Sequence, residues 1–393
     1  MKKRTVESVD VFNKRVLLRA DFNSPVENGK IVDDTRITST LPTITYLLDR
    51  GAKLIICSHQ GRPDGKYVEQ YSLKPIAEHL RGLVNKSIKM APDCVGGQVS
   101  SMVGSLMPGE ALVLENLRFH KEEEECDESF SRELASLGEI YVNDAFGTCH
   151  RKHASIYGVP LILKPAVAGL LMVKELKYLG DTTENPKRPF AVVFGGAKVS
   201  DKIKVVYNLE KIADLIVIGG GMSFTFMASQ GIGIGTSLVQ KDMIDSCRTF
   251  LDECRKKGKK VLLPVDNIVA DNYKNPTNIK ISANGIPDGM EGVDIGPKTS
   301  KMFCDELAKC ETVVWNGPLG VFEDERFAEG TKTVMKCVAG GVKVSVIGGG
   351  DSAAAAAKFG FTNQFTHVST GGGASLEFLE GKELPGIKVL DDA

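Results

Sequence analysis

At 393 residues, with 42% hydrophobic and 25% charged residues, the chain has the composition of a globular protein large enough for two cores. Its net charge of −1 excludes a general attraction to nucleic acid or membrane, so neither partner is expected and any anion site must be a local basic cluster. The basic start MKKRTVESVDVF lacks the apolar stretch of a signal peptide, and no apolar run nears the roughly 20 residues that span a bilayer, so a cytoplasmic protein is expected. The nine cysteines show no CxxC pair or zinc spacing and are expected as reduced thiols.

Residues 15–19 (RVLLR), 53–57 (KLIIC), 111–114 (ALVL) and 139–142 (EIYV) are short apolar runs suited to buried strands. Between them, residues 41–50, 73–83 and 130–137 carry helical spacing, and the charge run at 122–125 is expected on a solvated face. Residues 166–179 (AVAGLLMVKELKYL) predict a helix with Gly169 its one breaker, closed by the turn-rich stretch 181–186. Strand runs resume at 190–194, 215–218, 260–263, 312–315, 343–347 and 365–368, with helical spacing at 202–212, 241–257 and 298–309. Residues 264–297 are rich in Asn, Gly and Pro and predict a loop or small extra strands. This alternation predicts an α/β fold of two doubly wound parallel-sheet (Rossmann-like) domains joined by the central helix. The expected boundaries are 1–165 for the N-terminal domain, 166–185 for the helix and linker, and 186–374 for the C-terminal domain. The tail at 375–393 is free to pack on either half, the N-terminal domain being one choice.

Ligands of open α/β sheets bind beyond the carboxyl ends of the strands. In the first half those ends carry Asp21, Asn23 and Arg36, then His59 and Arg62, then Arg118 and His120, then His150, Arg151 and His153. Arginine's rigid fork suits phosphate and carboxylate, so this repeated placement in a nearly neutral chain points to a small anionic substrate, with Asp21 and Asn23 suited to its hydroxyls. His150 and His153 have no third ligand nearby and are not expected to hold a metal. In the second half the strand ends are glycine-rich: Gly195-Gly196-Ala197-Lys198, Gly219-Gly220-Gly221, Asn316-Gly317-Pro318, Gly348-Gly349-Gly350-Asp351-Ser352 and Gly371-Gly372-Gly373. Such ends admit close backbone approach and offer helix N-termini to phosphate, although neither GxxxxGK(S/T) nor GxGxxG occurs. Asp351 is placed to hold Mg²⁺ through oxygen.

The segments RADFNSPV, DDTRI, SHQGRP, ENLRFH, NDAFGTCHRKHAS, GGAKVSDK, GGGMSFTF, WNGPLGVFE, GGGDSAAA and STGGGASLEFLEGKELPG resemble the motifs of the phosphoglycerate kinase family, in its order and over essentially the whole chain. The resemblance implies a two-domain, hinge-bending monomer of glycolysis and gluconeogenesis. Its reaction would be reversible Mg-dependent phosphoryl transfer from 1,3-bisphosphoglycerate to ADP, giving ATP and 3-phosphoglycerate. It implies 3-phosphoglycerate binding by Asp21, Asn23, Arg36, His59, Arg62, Arg118 and Arg151. The nucleotide, as MgADP or MgATP, would be served by Gly195, Lys198, Lys202, Gly292, Asn316, Glu323, Gly349, Gly350, Asp351 and Ser352, with Asp351 at the magnesium. Gln60, Cys149 and Ser352 depart from the usual leucine, small residue and threonine.

Both reacting groups in this chemistry are already anionic, so no general base is needed and catalysis rests on in-line positioning and charge stabilisation. Arg36 and Lys202 are the expected contacts of the transferring phosphoryl, with the amides of Gly371, Gly372 and Gly373 as further donors. The reaction would require the two halves to come together, which also excludes water from the acyl phosphate. A two-lobed anion-binding protein without chemistry and an atypical NAD-dependent dehydrogenase are the competing classes. ATP formation separates them.

Overall fold

The computed structural model describes residues 2–393, and its contacts divide the chain into two units, Met1–Lys177 with Glu383–Ala393, and Tyr178–Lys382. The boundary falls within one helix, Leu170–Glu184.

In the first unit the strands are β1 (Arg15–Arg19), a hairpin of β2 (Val26–Glu27) and β3 (Lys30–Ile31), then β4 (Lys53–Cys57), β5 (Ile88–Met90), β6 (Ala111–Val113), β7 (Ile140–Asn143) and β8 (Ala166–Ala168). Six of them form a parallel sheet in the order β5-β6-β4-β1-β7-β8. The runs RVLLR and KLIIC are buried along nearly their whole length, as parallel strands covered on both faces must be. Val16, Leu18, Leu54, Ile56, Ile44, Leu47 and Ile76 belong to one apolar cluster between this sheet and its helices.

The second unit has β9 (Phe190–Phe194), β10 (Leu215–Ile218), β11 (Lys260–Leu262), β12 (Asp266–Ala270), β13 (Ile279–Ala283), β14 (Glu291–Ile295), β15 (Thr312–Asn316), β16 (Val344–Gly348) and β17 (His367–Val368). Its parallel sheet runs β11-β10-β9-β15-β16-β17, and β13-β12-β14 form a separate antiparallel sheet. Trp315, Phe303, Val313 and Met335 are fully buried in its core.

Several expectations change. Residues 166–168 are a strand, because they pair in register with β7 and the helix starts only at Leu170. Gly169 makes that corner: a Cβ there would lie 2.2 Å from Asp144 Oδ1, which accepts the amide of Met172 at 3.0 Å. The 122–125 run lies in a short helix, Lys121–Glu125, whose Glu123 is fully buried. The helix expected at 41–50 begins at Thr35, which places Arg36 in its first turn. Of the two alternatives expected for 264–297, the small extra strands are what forms, as β12 to β14. The tail segment Glu383–Ala393 packs in the first unit, where Lys164 pairs with Asp391 at 2.7 Å and Asn143 donates to the carbonyl of Gly386 at 3.2 Å. Cys304 and Cys337 are joined by a disulfide between the helices Pro297–Leu307 and Glu329–Gly341, while the other seven cysteines are free.

Candidate functional site

In the first unit the residues after β1, β4, β6 and β7 build a basic cluster around His59. Arg19, at the end of β1, is buried and donates to Ser155 Oγ at 2.7 Å and to the carbonyl of Ala20. Its Nη2 lies 3.3 Å from His59 Nδ1. A guanidinium only donates, so Nδ1 accepts and the imidazole proton sits on Nε2. Burial, then Arg19, Arg118, Arg151 and Arg36 in that order, hold the His59 pKa well below its ordinary value. The ring is therefore neutral, and it spares the cluster a fifth positive charge.

Arg36 donates to Asp21 Oδ2 at 2.9 Å from the first turn of its helix, whose start is fixed by Asp33 Oδ1 accepting the Thr35 amide. Asn23 Oδ1 accepts the Gly61 amide at 2.9 Å, and the Gly61 carbonyl takes Arg118 Nη1 at 2.8 Å. Arg118 is buried, with Nε 3.1 Å from Glu124. Arg151 is half-buried and donates to His150, and Arg62 is exposed beside Gly61. Gln60 is buried and donates to the Ser24 carbonyl at 2.6 Å, a bond that leucine could not make.

Beneath these lies a layer not anticipated from sequence. Glu123 accepts from Ser155 Oγ at 2.6 Å and from the Ser155 amide at 2.9 Å, and Ser155 Oγ accepts Arg19. A buried carboxylate thus balances the innermost guanidinium through one hydroxyl. His153, 4.0 Å from Glu123, is held down to about 3 by burial and by Arg118 and its neighbours.

In the second unit a cavity of about 530 Å³ is lined by Gly196, Gly220, Gly221, Pro318, Gly320 and Asp351 together with the apolar side chains of Phe224, Leu238, Tyr273 and Val321. Glu291, Gly292, Asp294 and Glu323 are also among its lining residues. Lys202 is nearly buried beside it, with Nζ donating to Asn316 Oδ1 at 2.5 Å and to the Asn316 carbonyl at 3.1 Å. Burial lowers its pKa to about 8 against the pull of Asp351 and Asp201. Gly317 has φ +97°, and a Cβ there would meet Gly195 O and Lys202 Nζ at 2.3 Å, so only glycine fits. Ser352 Oγ accepts the Gly317 amide, joining the start of the helix Gly350–Lys358 to this loop.

Gly292 meets a different need, since its Cβ would fall 2.3 Å from the Phe224 ring. Lys198, Glu323 and Asp351 are exposed, whereas Gly195 and Asn316 are buried. The Gly371 amide is taken by Ser369 Oγ. The apolar lining residues Phe224, Leu238 and Tyr273 were not picked out from sequence; the aromatics in GGGMSFTF were their one local signal. Asp294 is buried, accepts the Gly330 and Ile295 amides, and is pushed up to about 7 by burial.

A guanidinium cluster and a glycine-walled cavity, each beyond the carboxyl ends of a parallel sheet, define a class: α/β enzymes that handle phosphorylated small molecules. The comparisons narrow the class. The sequence matches the family described as phosphoglycerate kinase over residues 6–382. It is 51% identical to the phosphoglycerate kinase of Chloroherpeton thalassium, with 100% of both chains covered. The enzyme of Clostridium tetani is 49% identical, over 99% of this chain and 98% of that one. Among solved structures, phosphoglycerate kinase from Coxiella burnetii superposes with a TM-score of 0.89 at 39% identity, covering 98% of each chain. The Pyrococcus horikoshii enzyme gives a TM-score of 0.85 at 36% identity, again over 98% of each. The chain belongs to the phosphoglycerate kinase family, and its activity is that of a phosphoglycerate kinase.

Proposed function

We propose that the basic cluster of the first unit binds 3-phosphoglycerate and its acyl phosphate, and that the cavity of the second unit binds ADP or ATP. The observation that carries this division is the gathering of Arg19, Arg36, Arg118 and Arg151 around a neutral, buried His59 in a chain of net charge −1. So many cations at one place are stabilised by an anion of matching charge. Arg62, Arg118 and Arg151 hold the phosphate and carboxylate in this reading, His59 offers its Nε2 proton, and Asp21 and Asn23 accept from the hydroxyl.

The apolar side chains that line the cavity, Phe224, Leu238 and Tyr273, suit a base, and the glycine loops with Gly349, Gly350 and Ser352 suit the phosphates. Asp351 is an exposed carboxylate on the cavity wall, at the start of the helix Gly350–Lys358, with Glu323 the other exposed carboxylate of the lining. That fits Mg²⁺, which takes one or two protein carboxylates and fills its other positions with water and phosphate oxygens. When bound, the ion neutralises charge on those oxygens. Lys202, charged below about pH 8, and Arg36 are the groups that stabilise the transferring phosphoryl. Lys198 and Glu323 contact the nucleotide from the exposed rim, and Gly195, Gly292 and Asn316 shape the walls. In this reading the protein acts as a cytoplasmic monomer.

Two titrations test the division. Arg62→Ala and Arg151→Ala should each weaken 3-phosphoglycerate binding by about tenfold or more and leave MgADP affinity within twofold of wild type. Asp351→Ala should do the reverse, removing the Mg²⁺ dependence of ADP affinity. The fluorescence of buried Trp315, whose Nε1 donates to Gly317 O at 2.7 Å, reports the second titration. Loss of both affinities in either set would contradict the division.

A further inference from the structure

The loops that leave β5 and β6 carry a side-chain group that the reaction does not use. The two strands pair in parallel, Ile88 to Ala111 and Met90 to Val113, and their continuations stay together. Ala91 donates to the Val113 carbonyl at 2.9 Å and Glu115 to the Asp93 carbonyl at 3.2 Å. From the first loop come Asp93 and Cys94. From the short turn Leu117–Phe119 after the second comes His120, whose amide donates to Leu117 O.

One carboxylate oxygen, one sulfur and one ring nitrogen of these residues all lie within 4.8 Å of one another. Among the described residues no other group of three His, Cys, Asp or Glu side chains converges in this way. Asp93 Oδ1 is oriented by the Cys94 amide at 2.6 Å and lies 2.7 Å from His120 Nε2. The His120 ring is held in plane by stacking on Phe130, with centroids 5.3 Å apart. Cys94 is fully buried, while the side chains of His120 and Asp93 are 28% and 49% exposed. An ion could therefore enter past the last two and meet the sulfur at the inner end.

We propose that Asp93, Cys94 and His120 form a binding site for one borderline divalent cation of the zinc type, joining the loops after β5 and β6. The donor set selects the ion. Thiolate and imidazole with a single carboxylate suit Zn²⁺ or Co²⁺, whereas Mg²⁺ and Ca²⁺ require oxygen. A tetrahedral ion with bonds of about 2.0–2.3 Å sets its donors roughly 3.3–3.8 Å apart, so Asp93 and His120 must part slightly, which half-exposed side chains can do. Three protein donors leave a fourth position for water. Binding replaces the Cys94 S–H bond with a sulfur–metal bond, and the proton leaves to solvent. His120 Nε2 donates its proton to Asp93 in the empty site, so on binding that proton moves through solvent to Nδ1, the freed Nε2 lone pair takes the ion, and nothing is oxidised or reduced. The cysteine and histidine are 26 positions apart, outside any short zinc motif, so the site is invisible to a search by spacing.

Cobalt titration of the full-length protein under reducing conditions tests this. One equivalent of Co²⁺ should give a thiolate-to-cobalt charge-transfer band and tetrahedral visible bands, which one equivalent of Zn²⁺ bleaches and millimolar Mg²⁺ leaves unchanged. Cys94→Ala should remove the charge-transfer band. His120→Gln, at a half-exposed position that does not threaten folding, should weaken Co²⁺ binding by at least tenfold. Absence of the band in the wild-type protein, its persistence in Cys94→Ala, or unchanged affinity in His120→Gln would overturn the site.

Discussion

His59 illustrates how single residues make a site of like charges tolerable. It sits among four arginines by staying neutral, and the innermost of these, Arg19, is offset by Glu123 through Ser155. Removing that hydroxyl leaves both a buried cation and a buried carboxylate short of a partner. Ser155→Ala should lower unfolding stability by about 1–3 kcal/mol in urea titrations, and a change within a few tenths would mean that Arg19 and Glu123 are satisfied otherwise. Arg36 has a different part. Exchanging it for alanine should cut turnover by roughly 100-fold or more while MgADP affinity stays near wild type, and turnover within a few-fold of wild type would remove it from the phosphoryl contact.

Asp294 gives a pH dependence. Its folded pKa, about 7, is raised above the unfolded value, so between roughly pH 4 and 7 the folded state binds more protons. Stability from this group is therefore complete below pH 4 and is lost as pH rises through 7, at up to ~1.4 kcal/mol per pH unit. The same decline should be missing from Asp294→Asn, as read by denaturant unfolding at a series of pH values. An identical pH profile in the variant would show that the carboxyl titrates normally.

Among the elements, those with long apolar runs were legible in the sequence, because strands buried on both faces leave a continuous hydrophobic signature. β8 was not, since AVA carries no periodicity and reads equally well as helix; its pairing with β7 and the corner at Gly169 decide it. Gly169→Ala should cost about 2 kcal/mol or more, because the methyl must displace the carboxylate that caps the helix Leu170–Glu184; an unchanged melting temperature would contradict that packing. β5 was missed for its shortness. The basic and glycine-rich strand ends were legible because their chemistry repeats at one edge of each sheet, while Glu123 hid inside a run that looked like a solvated face.

The Cys304–Cys337 bond was hidden too, since two packed helices bring together thiols 33 positions apart and no local spacing records it. It closes the stretch that contains β15 and the loop from Gly317 to Glu323. Closing a loop of that length stabilises by about 3–4 kcal/mol in the chain-entropy view. Reductant should destabilise the second unit by that order, and Cys304→Ser should match the reduced wild type. Equal stability of oxidised and reduced protein would show that the bond contributes nothing.

For the whole molecule, the family and the architecture of two units, each built on a six-stranded parallel sheet, follow from agreement between sequence motifs, topology and relatives that cover both chains end to end. The proposed division of labour between units rests on chemistry: guanidinium forks in one and a glycine-lined cavity that carries Asp351 in the other. Phosphoryl transfer needs both ligands and needs no side-chain base, so the two sets of residues should fail independently. The most direct measurement is steady-state ATP formation from ADP and 1,3-bisphosphoglycerate by the wild-type protein, with Mg²⁺ present and after its removal by chelator. Rapid ATP formation that collapses without Mg²⁺ and returns when it is restored is the expected result. No ATP with both substrates and Mg²⁺ present, or formation indifferent to the metal, would contradict it.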